Sequence, residues 1–126
     1  MTKGSLTQNK VHLKEHEYRT VKLLLELGFD IELIPPSAIK GIRMPDIMMQ
    51  GVAWEMKSPE GKGKYTLKNA IQSASHQSQN IIIDLRRFPS NEQSAVRELE
   101  NHFHLSRRLR RMKIICKEDK ILDYVK

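Results

Sequence analysis

Residues 45–57 read Pro-Asp-Ile-Met-Met-Gln-Gly-Val-Ala-Trp-Glu-Met-Lys and leave the backbone few choices. Apolar residues flank Gln50-Gly51 on both sides, and Gly supplies the positive φ that a two-residue hairpin turn needs. Counting outward from that turn predicts Met49 opposite Val52, Met48 opposite Ala53, Ile47 opposite Trp54 and Asp46 opposite Glu55. Opposed residues share a face, with Cβ atoms roughly 5 Å apart. Lys57 lies two residues beyond Glu55 and points the same way, because side chains alternate along a strand. Ile47, Trp54 and Met56 take the other face and anchor the hairpin in a core. Asp46, Glu55 and Lys57 are therefore expected to converge, which suits holding a divalent cation and activating water. The alternative is a solvated strand face that happens to carry three charges.

The other segments predict a single α/β domain spanning residues 1–126, with residues 1–8 disordered. Apolar positions at helical spacing (Val11, Tyr18, Val21, Leu24, Leu25) predict a helix over 9–27, stopped by Gly28. Residues 29–34 alternate as a strand closed by Pro35-Pro36, and 58–64 are loop. Thr66 is expected to cap a helix over 66–79, with Leu67, Ala70, Ile71 and Ala74 inside. The β-branched run 80–85 predicts a strand buried on both faces. A helix follows Pro89-Ser90 with Val96, Leu99 and Phe103 inward, then strands over 112–116 and 120–124 joined through Glu118-Asp119. The order αβββαβαββ describes a mixed central sheet flanked by helices, ending in a helix and a β-hairpin.

Charge narrows the partners. Net charge is +7, and residues 101–126 carry eight Lys/Arg against three Asp/Glu. Such an excess favours nucleic acid over an acidic membrane surface. The single Cys116 excludes an intramolecular disulfide and a cysteine-rich zinc site, and reads as a small core residue. The first twenty residues lack the apolar core of a signal peptide, and no stretch has the length of a membrane span. A cytoplasmic site of action and no membrane partner are expected.

The string Pro45-Asp46 … Glu55-Met56-Lys57 resembles the signature of the PD-(D/E)xK nuclease superfamily, and the order helix, three strands, helix, strand is similar to its αβββαβ core. Glu17 with Leu24-x-x-Leu27-Gly28, Ile34-Pro35, Pro45-Asp46 and Gly51-x-x-Trp54-Glu55-x-Lys57 is further similar to the C-terminal toxin domains of contact-dependent growth inhibition proteins, several of which cleave transfer RNA. The resemblance implies Asp46 and Glu55 as ligands of Mg²⁺ or Mn²⁺, Lys57 as the residue polarising the attacking water, and Glu17 as an additional acid near the metal. It also implies a toxin delivered into a target cell, transfer RNA as substrate with DNA as the runner-up, and an acidic immunity protein matching the +7 charge. A non-enzymatic basic nucleic-acid-binding module is the reading from a different class. Beside anionic ligands, Lys57 is better placed to orient and stabilise charge than to act as a general base.

Several residues outside the hairpin are candidates for gripping the substrate. In this superfamily polar residues on the helix after the Glu-x-Lys strand often line the site, which nominates Thr66 and Gln77. The uncharged polar run Gln72, Ser73, Ser75, His76, Gln77 and Ser78 suits contact with phosphate or bases. Arg107, Arg108, Arg110 and Arg111 exceed what complementing a helix dipole requires and suggest a phosphate-binding surface, to which Arg86, Arg87, Lys62 and Lys64 could add. His12-Leu13-Lys14-Glu15-His16 fits the H-x-x-E-H pattern of inverted zinc proteases if it is helical. Those enzymes are much larger, and the basic charge suits a polyanion better than a peptide, so this reading is set aside.

Overall fold

The structure, a computed structural model, describes residues 2–126. Its elements are β1 (Leu6–Thr7), α1 (Glu15–Glu26), β2 (Ile31–Leu33), β3 (Ile47–Met49), β4 (Val52–Lys57), α2 (Thr66–Gln77), β5 (Asn80–Asp84), α3 (Glu92–Leu105), β6 (Arg111–Ile115) and β7 (Ile121–Val125). The seven strands form one mixed sheet in chain order. Pairs β1/β2, β4/β5 and β5/β6 are parallel, and β2/β3, β3/β4 and β6/β7 are antiparallel. The architecture is the expected α/β domain, with one strand added in front.

Side-chain alternation divides the core between the two faces of the sheet. Leu67, Ile71 and Ala74 of α2 and Ala95, Leu99 and Phe103 of α3 pack with Ile81, Ile83, Met112 and Ile114. On the other face Val21, Leu23 and Leu24 of α1 pack with Ile31, Leu33, Ile47, Trp54, Met56, Ile82 and Ile115. Apolar side chains of β5 go to both clusters, which is why its sequence shows a continuous β-branched run. Cys116 is a free, buried thiol, as read.

The start of the chain departs from expectation. Residues 4–7 are tied down: Ser5 N and Oγ donate to Asp30 Oδ1 (2.8 and 3.1 Å), and Gly4 N donates to Leu25 O (2.8 Å). A Cβ on Gly4 would lie 1.7 Å from Phe29 O, so only glycine permits this approach. Disorder over 1–8 is thus corrected for residues 4–7, and residue 1 lies outside the described residues. Helix α1 begins at Glu15 rather than at 9, because Asn9 and Lys10 adopt positive φ (50° and 61°). His12 therefore lies off the helix, and the one-turn pairing with His16 that a zinc-protease motif requires does not exist.

The hairpin keeps its predicted register through Ile47↔Trp54, with Gln50 and Gly51 at φ 56° and 80°. Beyond that rung the pairing changes. Asp46 N donates to Trp54 O at 3.0 Å, and Asp46 Oδ2 accepts from Met56 N at 2.7 Å. The carboxylate itself stands in for a strand rung, so Asp46 is not a ladder partner of Glu55 as the simple count has it.

Candidate active site

Glu55 and Lys57 are alternate residues of β4 and project toward α2, while Trp54 and Met56 enter the core beneath α1. The turn at Gln50-Gly51 returns the chain so that Asp46 arrives beside them, locked by the Met56 amide. The first turn of α1 closes the other side. Lys14, His16, Glu17, Asp46, Glu55, Lys57 and Ser58 line a cleft of about 310 Å³, with Met56, Pro59 and Ala70 as its remaining walls. All four sequence-predicted catalytic candidates, Glu17, Asp46, Glu55 and Lys57, thus share one cleft.

Electrostatics single out Glu55. It is 4% exposed, its Oε1 has no hydrogen-bond partner, and its Oε2 lies 3.6 Å from Lys57 Nζ. Burial, reinforced by the adjacent Asp46 carboxyl, pushes the Glu55 pKa up to about 8 despite the attraction of Lys57. Asp46 is also raised, chiefly by burial and further by the charge of Glu17, against the lowering effect of the Met56 amide. Glu17 spends Oε1 on the Lys14 amide (2.9 Å), capping α1. It contributes field to the cleft more than a free ligand.

Two carboxyl groups that resist ionising together, one with an orphaned buried oxygen, fit a hard divalent cation. Mg²⁺ takes oxygen ligands and is commonly held by one or two carboxylates while it keeps several waters. Among the described residues no three His, Cys, Asp or Glu side chains assemble a metal site by themselves. The donor set that fits is Asp46 and Glu55.

The remaining candidates divide. Lys62 and Lys64 are exposed on the loop beside the cleft, and Thr66 opens α2. Thr66 is not the cap: that position is Tyr65, and Thr66 N donates to Gly63 O. Gln77 is corrected out of the cleft. It ends α2 about 10 Å along the helix from Ala70, the cleft's α2 residue. Arg86 is committed to Asp84, Asp119 and the Arg19 carbonyl. Arg87 clamps Ser58 through Nε to Oγ (3.1 Å) and Nη2 to the carbonyl (2.6 Å), with Glu60 on Nη1. Both arginines brace the cleft rather than present a free charge. Arg107, Arg108 and Arg110 are exposed in the bend after α3, not on the helix end, and Arg111 opens β6 with Nη1 3.3 Å from Asn80 Oδ1.

Lys14, Ser58 and Ala70 are cleft residues that the pattern did not nominate. Ser58 could have been suspected as the neighbour of Lys57. Ala70 reads as core because its spacing is right, yet it sits at the edge of the inner stripe and is only half-buried.

A mixed sheet flanked by three helices, with an acidic pair and a lysine at one strand end, defines a single α/β domain that carries a charged cleft at the edge of α2. Residues 43–121 match the contact-dependent growth inhibition CdiA C-terminal domain, and the chain belongs to that family of toxin domains. The match includes Asp46, Glu55 and Lys57 and leaves Glu17 outside it. The solved structure "CdiA-CT/CdiI toxin and immunity complex from Burkholderia pseudomallei" contains a similar chain, at TM-score 0.69 and 18% identity, covering 98% of this chain and 100% of that one. At this identity the likeness concerns the fold. No curated protein matches the sequence. Among the described residues no helix is long and apolar enough to cross a membrane.

Proposed function

We propose that this toxin domain is a metal-dependent endonuclease of the PD-(D/E)xK kind, with transfer RNA as its substrate. The observation that carries the reading is Glu55, a buried carboxyl with an unpartnered oxygen beside Asp46 and Lys57 in an open cleft. Asp46 and Glu55 would hold Mg²⁺ or Mn²⁺, which supplies charge neutralisation at the scissile phosphate and lowers the pKa of a bound water. The Met56 amide fixes Asp46 at the cleft wall. Lys57 offers three donors next to Glu55, suited to orienting water and stabilising charge on a phosphate oxygen. Ser58, held by Arg87, sets the rim where the substrate backbone enters.

Transfer RNA is preferred over DNA because the resemblance in the sequence is to toxin domains of that activity. The Burkholderia chain is one half of a toxin and immunity complex, which supports an immunity protein for this chain also, and a +7 domain calls for an acidic one. Delivery into a target cell follows from the same family.

The test is incubation of the purified domain with total transfer RNA and with plasmid, in Mg²⁺, Mn²⁺ or chelator. Metal-dependent RNA cleavage is expected, lost in Asp46→Ala, Glu55→Gln and Lys57→Ala proteins that remain folded by circular dichroism. Intact RNA beside degraded plasmid moves the substrate to DNA. No cleavage of either polymer with any divalent metal would sink the reading.

A further inference from the structure

The positive charge of this chain is concentrated by the fold. Residues 61–83 and 101–117 together contain nine of the 22 Lys/Arg and none of the 15 Asp/Glu, so the rest of the chain carries net −2; of the nine, only Lys113 is buried, paired with Asp123 on the α1 face of the sheet. These two stretches are distant in sequence but packed together. Ile71, Gln72 and Ser75 of α2 meet His102, Leu105, Ser106 and Leu109 across a shallow groove of about 250 Å³. On its other flank, α2 lines the catalytic cleft through Ala70. Helix α2 is therefore a ridge, with the acidic cleft on one side and the arginine bend on the other.

The arginines of the bend share their lack of a carboxylate partner with Arg43, Arg97 and Arg111, and are set apart by standing three within four residues. Among the described residues, Arg19, Arg86 and Arg87 each pair with a carboxylate, whereas Arg107, Arg108 and Arg110 have none within 4.0 Å. Lys62, Lys64 and Lys68, exposed at the start of the ridge, are equally free of carboxylate partners. The exposed crest between them carries Asn69, Gln72 and His76 and no acid. Three exposed guanidinium groups thus stand next to an acid-free crest with no carboxylate partner within 4.0 Å.

We infer that Lys62, Lys64 and Lys68, the α2 crest and the bend at Arg107, Arg108 and Arg110 form one track for a nucleic-acid backbone, which grips phosphates remote from the bond in the cleft. Crossing a helix about 10 Å wide while advancing about 7.5 Å from Ala70 to Ser75 makes the ridge crossing about 12 Å long. At about 3.4 Å of duplex axis per phosphate of one strand, a duplex lying along it sets roughly four phosphates between the cleft and the bend. The ligand is accordingly a folded or duplex nucleic acid that can lay a continuous strand over the ridge, and a dinucleotide fills only the cleft end. The direction of the track rests on the nuclease reading of the cleft, but its existence does not.

Binding by the Glu55→Gln protein tests it without cleavage. The probes are an RNA dinucleotide and an RNA hairpin of about 12 base pairs, followed by fluorescence anisotropy between roughly 50 and 200 mM salt. Replacing Arg107, Arg108 and Arg110 together by Gln is expected to weaken the hairpin at least about tenfold and to reduce its salt slope by roughly two to three. The dinucleotide should change by less than about twofold. A control removing equal charge outside the two stretches, Lys3→Gln, Arg97→Gln and Lys120→Gln, should leave the hairpin within about threefold. Equal weakening in the control, or equal weakening of both probes, overturns the track. So does unchanged hairpin binding with loss of an acidic protein partner, which would give the bend to that partner. Failure of the nuclease reading shows separately, as absence of cleavage by the unmodified domain.

Discussion

Glu55 and Asp84 are buried acids on neighbouring strands, 4% and 3% exposed, and the protein treats them in opposite ways. Asp84 is satisfied on both oxygens. Oδ1 accepts from the Arg86 amide and Nε (3.0 Å each), and Oδ2 accepts from Thr20 Oγ1 (2.7 Å) and Arg86 Nη2 (2.8 Å). Its charge is solvated by the fold, and in return it joins α1, β5 and the β6–β7 turn through Arg86 and Asp119. Glu55 has only a lysine at 3.6 Å and the neighbouring Asp46 carboxyl, and no donor reaches its Oε1. A buried charge without partners is costly, so natural structures keep few of them. Burial alone therefore says little about an acid. What its oxygens touch separates the one that holds the molecule together from the one kept for a ligand.

The contrast can be broken at either residue. The largest effect is expected from Glu55→Gln, which should lower single-turnover cleavage by roughly 10³-fold, in the range seen when a group that stabilises transition-state charge is removed. Its stability should be equal to or above that of the unmodified domain, because an unfavourable buried acid is gone. Asp84→Ala should do the reverse. It strands Arg86 and Thr20 and should cost about 3–5 kcal/mol in denaturant unfolding, with cleavage per folded molecule retained. Loss of activity in Asp84→Ala beyond its unfolded fraction would mean that the two acids are not so cleanly divided.

A pH titration of stability sharpens the same point. Glu55 rises from 4.5 in the unfolded chain to about 8 in the folded one, and Asp46 is raised too, so the folded state binds more protons between those values. The metal-free domain should be most stable below about pH 4.5 as far as these groups are concerned, and lose that stability as pH climbs through about 8. A loss on the order of 5 kcal/mol between these limits is expected, and Glu55→Gln should flatten most of it. Adding Mg²⁺ should restore stability more at pH 8 than at pH 6, because the ligands must shed protons to bind.

The smallest effect is expected at the arginine bend. Arg107→Gln, a single exposed change with no internal partner, should leave unfolding within about 0.5 kcal/mol. A larger loss would place that arginine with Arg86 and Arg87 as a brace rather than with the proposed track.

Much of this architecture was legible without coordinates. The Gln50-Gly51 turn set the hairpin register through Ile47↔Trp54, since a two-residue turn allows one pairing. Alternation then assigned Trp54 and Met56 to the core and Glu55 and Lys57 to the cleft. The failures are equally specific. The helical spacing of Val11 predicts a start for α1 six residues too early, whereas Asn9 and Lys10 turn the chain away. Strand β1 is two residues long and pairs with β2, so it leaves no periodic signal. Ala70 reaches the cleft and Gln77 does not, because a helix pattern gives the angle of a residue but not how far along the neighbouring strand it sits.

Most of the elements, the hairpin, the charge and the four acid and lysine candidates were already written in the chain, because turns and periodicities are local. Which charges are spent and which are available was settled by packing. Arg86, Arg87 and Arg107 are identical letters, yet two are consumed by carboxylates up to 33 residues away and one meets none. The same holds for Glu55 against Asp84. Whether a buried or exposed charge is satisfied depends on partners delivered by other strands and helices, and pairing across such distances is written in the packing, not in any stretch of the chain.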